Sequence, residues 1–405
     1  MAALASSKSF WQHRSFGLYE LLQSWWRHRV SFVISLAITF LALTIYLFTY
    51  IQEKTSPLLV FIQRVELSAL DTRFRFRSAK LTPPDPRIVI VDVDQRSQEI
   101  LGKWPFSRTY FAKTLDILHN DGARVAAFDI TFDKPDQTAA PLRALSAQLE
   151  ERKKLGTPVD QTLEAEVRSL AAEFDADSQF ASSIKRFGPV VLGNFFLAHH
   201  ETKGISDATL DQYADLIQWY AIANRNALNP ATGKQDFENV VRRYKDAHVL
   251  PSATVANIPV LTSALNEEKA STGFFNITSD ADGVLRRSTL LLPYGRSTNY
   301  GDWDFYGSLE VQAVRLYLDV PGNQVTANFN VTGIVSLELA DKLRLKPDPI
   351  GRMSINYHGP ERTYPYYSIA DVVGGLVPPG TFKDKIVLVG VSATGVGDLR
   401  SSPYG

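Results

Sequence analysis

The 405-residue chain has no cysteine, which excludes a disulfide framework, a thiolate nucleophile, a zinc–thiolate site and an iron–sulfur cluster. It has no net charge either. With 43 Lys and Arg against 43 Asp and Glu, the electrostatic footprint of a dedicated nucleic-acid binder is missing, and no nucleic acid is expected as partner. Long apolar runs are absent except for one. Val30 to Ile51 (VSFVISLAITFLALTIYLFTYI) carries no charge, and about 20 apolar residues in a self-bonded helix span a bilayer core. The run predicts an N-terminal transmembrane helix over residues 30–51, with a buried core helix as the alternative. Phe16, Tyr19, Leu22, Trp25 and Trp26 recur at helical spacing before it, as in a segment at the membrane interface, within residues 1–29. Arg14, Arg27 and Arg29 on that side, against Lys54 and Arg64 beyond the helix, favour a cytoplasmic N-terminus. Residues 52–405 are therefore expected on the periplasmic or extracellular side of the inner (cell) membrane.

The remainder has an ordinary globular composition, 45% hydrophobic and 21% charged, which argues against wholesale disorder. A proline-rich linker (LTPPDPR, 81–87) leads into Ile88-Val-Ile-Val-Asp-Val-Asp94, a β-branched run that reads as a buried strand. Phe111, Leu115 and Leu118 predict a helix over 108–120 closed by Asp121-Gly122, and RVAAFDITF (124–132) a second strand. Such a βαβ unit implies a parallel pair with a right-handed crossover. Leu142, Leu145 and Leu149, then Leu163, Val167, Leu170 and Phe174, predict a helical hairpin inserted at about 137–187. A second insertion, with a helix at 209–224, covers about 199–255. Further strands are expected at 189–197, 288–294, 353–357 and 385–391, and a helix at 305–318. The alternation predicts an α/β fold: a mixed, mostly parallel sheet with flanking helices, a Rossmann-like sandwich carrying helical insertions.

Candidate chemistry gathers at strand ends. Asp92 and Asp94 are two apart, hence on one face of an extended strand, and Asp129 holds the matching end of the next. Open α/β sheets bind ligands outside the carboxyl ends of their strands. The same acids also serve as helix caps or hold loop N–H groups. IVIVDVDQR resembles the nucleophile motif of haloacid-dehalogenase-type phosphatases, but Arg96 stands where that motif has Thr, and GDLRS (397–401) lacks the second acid of the closing motif. DADG (280–283) fits an Asp-Gly turn better than a calcium loop, because Thr278 and Thr289 replace two ligands. GVSATGVG (390–397) lacks the Lys-Ser/Thr of a phosphate loop. No catalytic residue, metal site or cofactor is assigned.

Six blocks carry a resemblance in sequence order: LDTRFRFR (70–77), IVIVDVDQRSQEILGKWPFSRTYFAKTLDIL (88–118), GARVAAFDITFDKPD (122–136), DADGVLRRSTLLLPY (280–294), INYHGP (355–360) and KIVLVGVSATGVGDLRSSP (385–403). Together they resemble the CHASE-2 (CHASE2) domain, an extracytoplasmic sensory module of bacterial membrane signalling proteins. Segments 137–187 and 199–255 depart from it. The resemblance implies a domain between membrane helices, leading to a cytoplasmic class III adenylate or guanylate cyclase, a histidine kinase, a Ser/Thr kinase or a diguanylate cyclase. None of those catalytic residues is present, so no catalytic role carries over, and the output, of adenylate cyclase type, is expected beyond Gly405.

The leading expectation is a membrane-anchored sensor with Asp92, Asp94, Trp104, Arg108, Asp129, Asp282, Arg286 and Asp398 around one polar ligand cleft. Trp104 supplies an apolar wall there, and Arg108 and Arg286 bind carboxylate or phosphate. The plainer alternative is that Trp104 packs the core and the arginines pair with the acids. Expected partners are the lipid bilayer, an unidentified small molecule or environmental stimulus, and a second copy in a homodimer. Two other functions remain open: an extracytoplasmic metal-dependent hydrolase using Asp92 and Asp94, and a structural dimerisation module paired through 141–183.

Overall fold

The computed structural model describes residues 29–45, 57–78, 83–227, 235–247, 249–265, 269–280, 282–393 and 401–404. The chain divides into residues 1–73 and residues 74–405. The first unit holds a helix over 29–45 and most of α1 (Pro57–Ser78). Among the described residues no helix is long and apolar enough to cross a membrane. Of the expected span, residues 30–45 are helical and 46–51 lie outside the described residues.

In the second unit, β1 (Ile88–Val93), β2 (Val125–Phe128), β3 (Val190–Leu197), β4 (Ala253–Val255), β5 (Ser271–Phe274), β6 (Tyr366–Ser368) and β7 (Ile386–Val391) form one seven-stranded sheet. The order runs β6, β1, β7, β2, β3; β5 is parallel to β3, and β4 pairs antiparallel with its last residues. The fold is α/β with a mostly parallel sheet. One expectation is corrected. β1 and β2 run parallel but are not neighbours, because β7 lies between them. It pairs with β1 from Ile88↔Ile386 to Val93↔Val391, and with β2 from Val125↔Ile386 to Phe128↔Val389. The crossover through α2 (Thr109–Asn120) therefore skips a lane that the last strand fills.

Side chains alternate across the sheet. Val89, Val91, Ala126, Phe128, Val387 and Val389 face one core, shared with α2. Three helices follow β2: α3 (Ala140–Lys154), α4 (Gln161–Glu173) and α5 (Ala176–Phe187). Only α3 and α4 make the inserted hairpin. Residues 176–187, expected inside that insertion, start afresh at the Asp175 cap and place Phe180 and Ile184 in the core. Phe180 joins Phe111, Phe128 and Phe132 in a cluster with ring centroids 5.1–6.1 Å apart. On the opposite face α6 (Leu309–Tyr317) lays Leu309, Ala313 and Leu316 over Val125, Ala127 and Val191. It sits so close that a Cβ at Gly273 would lie 2.6 Å from Leu309 Cα.

The helix expected at 305–318 begins only at Leu309, where Ser308 caps it; Phe305 and Tyr306 belong to the strand Asp304–Gly307, antiparallel to Leu291–Tyr294. A second lobe surrounds a meander of Val325–Asn330, Gly333–Leu339 and Leu343–Leu345, flanked by Asn224–Asn226. Val325, Ala327 and Phe329 alternate into its core beside Phe305 and Tyr244.

The two settings of apolar side chains separate by energy. Phe180 is fully buried, so Phe180→Ala is expected to cost about 3–5 kcal/mol. Leu163 in the hairpin is 47% exposed, and Leu163→Ala should cost less than about 1 kcal/mol. Urea unfolding of both variants checks this; equal losses would contradict the assignment of core and insertion.

Candidate functional site

The acids at the carboxyl edge of the sheet come first. Register sets Asp92 of β1 beside Gly390 of β7, with Asp129 following directly after β2. Asp92 is buried, and its carboxylate accepts hydrogen bonds from Ser392 Oγ (2.6 Å) and the Ser392 backbone N–H (3.1 Å). Burial pushes this carboxyl up, and the neighbouring Asp94 adds to the shift against the Ser392 hydrogen bonds. Asp94 lies beyond the strand and caps the helix Gln95–Leu101. It accepts from Ser97 N (2.8 Å), Ser97 Oγ (2.6 Å) and Ser368 Oγ (2.8 Å). Burial opposes its ionisation, yet these donors outweigh it and hold the carboxyl below its usual range. The two acids thus turn to different partners, one to the end of β7 and one to β6. Asp129 differs from both. Its residue is solvent-exposed, but surrounding protein removes enough hydration to push the carboxyl up to about 6, with the charge of Glu310 adding to the shift.

The arginines are spent internally. Arg108 is buried and pairs with buried Asp177, while its guanidinium also donates to the Lys134 carbonyl. Its backbone N–H donates to Asp136 Oδ2 at 2.8 Å, so the arginine ties the loop after β2 to α5. Trp104 packs edge-on against Phe106 and Phe111, with centroids at 5.5 and 6.2 Å. Arg286, 1% exposed, holds Asp282 through two hydrogen bonds of 2.8 Å and Asp280 through one of 3.1 Å. The pairing holds the Asp282 carboxyl low. Asp398 lies outside the described residues. The described members of the cleft expected from the sequence each have their own local partners. The acids edge the sheet, Trp104 and Arg108 serve the core, and Arg286 braces the Asp280–Gly283 turn, because buried charges have been matched with nearby opposite charges.

Beside Arg286 the C-terminal segment docks. The Leu285 N–H donates to Ser401 O (2.8 Å), and Tyr357 Oη donates to Leu285 O (2.7 Å). Arg75 Nε donates to Pro403 O at 2.8 Å, and Tyr404 Oη to Phe74 O at 3.0 Å. Phe74 also meets the Tyr357 ring edge-on, with centroids 5.9 Å apart. The end of α1 and the last described residues are thus fastened together within one unit. No local motif signals this contact.

A cavity of about 1140 Å³ opens at the other edge of the sheet, before β3 and β5. Lys185 and Arg186 at the end of α5, Lys269 before β5, and Gln312 and Arg315 of α6 line it, facing Trp219 and Tyr220. Arg315 is 2% exposed, and burial lowers its guanidinium to about 10. It lies four residues after Val311, on the buried side of α6, and no motif in the sequence marks it.

Among the described residues no group of three or more His, Asp or Glu is placed to hold a metal ion. A family model described as the CHASE2 domain matches residues 38–405. No curated protein and no solved structure matches the chain.

Asp129 carries a pH signature. Its carboxyl is raised from 3.8 to about 6, so folding favours the neutral form, and that contribution to stability is full below the unfolded value and lost as pH rises through about 6. Asparagine stays neutral throughout. Asp129→Asn should therefore leave thermal melting unchanged in acid and raise it above pH about 6. Parallel pH profiles of the two proteins would contradict the shift.

Proposed function

Because the chain belongs to the CHASE2 family of sensor domains in signalling proteins, we propose that it is the membrane-anchored extracytoplasmic input domain of a receptor whose output, of adenylate cyclase type, lies beyond this chain. The observation that carries the anchor is the helix over 29–45. Residues 30–45 bear no charge, and Phe32, Leu36, Phe40 and Leu41 are 60–71% exposed. Water does not favour so many bare apolar side chains on one helix; a hydrocarbon surrounding does.

The fastening of Phe74 and Arg75 to Pro403 and Tyr404 supports the signalling half of the reading. A stimulus that shifts the domain between two arrangements moves both segments together, and it does so only to the extent that it binds the two arrangements unequally. The hydrolase reading has less support: Asp92 and Asp94 turn to different hydrogen-bond partners instead of converging on one cation.

Topology provides the test. Thr157, exposed between α3 and α4, becomes a unique label site in Thr157→Cys because the chain has no other cysteine. In intact cells a membrane-impermeant maleimide is expected to label it fully. Labelling only after lysis would place the domain in the cytosol and overturn the receptor reading.

A further inference from the structure

We propose that the cavity at the amino-terminal edge of the sheet is a ligand site for a small oxyanion, carboxylate or phosphate, carried on a planar apolar body. The first observation concerns charge. Among the described residues the Arg315 guanidinium reaches only Gln312 Oε1 (2.7 Å), Val320 O (2.9 Å) and Ala270 O (3.4 Å). Among the described residues no carboxylate pairs with it. A buried cation without a counter-charge is costly, and the buried Arg108 and Arg286 each have one. Guanidinium carries five N–H donors, so Arg315 retains capacity for a guest beyond these three contacts.

The second observation is the company it keeps. Lys185 and Lys269 line the same cavity and stand in no ion pair among the described residues. Two other charged groups there are already neutralised, Arg186 by Asp116 and Asp319 by Arg124. Three uncompensated cations remain on one wall system. Trp219 also lines the cavity yet is 76% exposed, an aromatic face with no ring stacked on it among the described residues. The volume, about 1140 Å³, lies just above the usual range of small-molecule sites and leaves room for such a guest with water. A guest with an oxyanion head and a flat body would neutralise the cations and cover the indole.

The site deepens the receptor reading by naming a class of input, and as a stimulus it rests on that reading; as a binding site it does not. Phenyl phosphate and benzoate are suitable probes for the full chain in detergent, with phenol as the uncharged control. At least one of the two anions is expected to raise the melting temperature and quench tryptophan fluorescence, and phenol to do neither. Trp219→Phe should abolish the quench and keep the thermal shift. Lys185→Gln with Lys269→Gln, both at exposed positions, should melt like the parent and bind about tenfold more weakly. Arg315→Met should lose the ligand-induced shift. Absence of a response to both anions, or equal affinity in the double-lysine variant, overturns the site. A chain that binds the probe but is labelled at position 157 only after lysis keeps the site and loses its role as extracytoplasmic input.

Discussion

The lane occupied by β7 is the constraint on which the rest of the structure depends. All six of its residues are in register with β1, and four with β2. The neighbour that β1 and β2 share therefore comes from a segment far along the chain, as in Ile88↔Ile386 and Val125↔Ile386, contacts of high sequence separation. Everything between 94 and 385 is held as a closed loop by that insertion, which explains how a hairpin of two helices and a second lobe are accommodated without disturbing the sheet.

The last described residues lie against the end of α1, where Arg75 meets Pro403 and Phe74 meets Tyr404. On the reading proposed above, an input domain between membrane segments needs its two connections to respond together. Arg315 lies at the far edge of the sheet on α6, whose Leu309 and Leu316 rest on β2 and β3, and the unmatched Lys185 and Lys269 line the same cavity from the end of α5 and the segment before β5. A guest drawing on Arg315 thus pulls on a helix that leans on the neighbour of β7.

Much of this was legible in the residues and some was not, for physical reasons. β-branched runs such as Ile88–Val93 and Ile386–Val391 announce buried parallel strands because both faces are covered. The order of those strands is a long-range property with no local mark, so β1 and β2 read as partners. The alternating strand Val325–Asn330 is masked by its polar positions. At the site, acids in a short run read as one face, but Asp94 lies past the end of the strand and caps a helix, which a spacing of two does not reveal. Arg108 and Arg286 read as ligand-binding because arginine suits oxyanions; Asp177 and Asp282 meet that demand from within. Arg315 attracts no notice in a helical pattern, and only its burial without an acid sets it apart.

The closeness of the two chain segments is tested most directly by a distance. Spin labels on Phe76→Cys and Ser401→Cys, both exposed positions in a chain without native cysteine, report it by pulsed dipolar spectroscopy. One short, narrow distance is expected in the folded protein. A long, broad distribution in a sample that still melts cooperatively would contradict the closure of the sheet by its last strand as the link between the two ends.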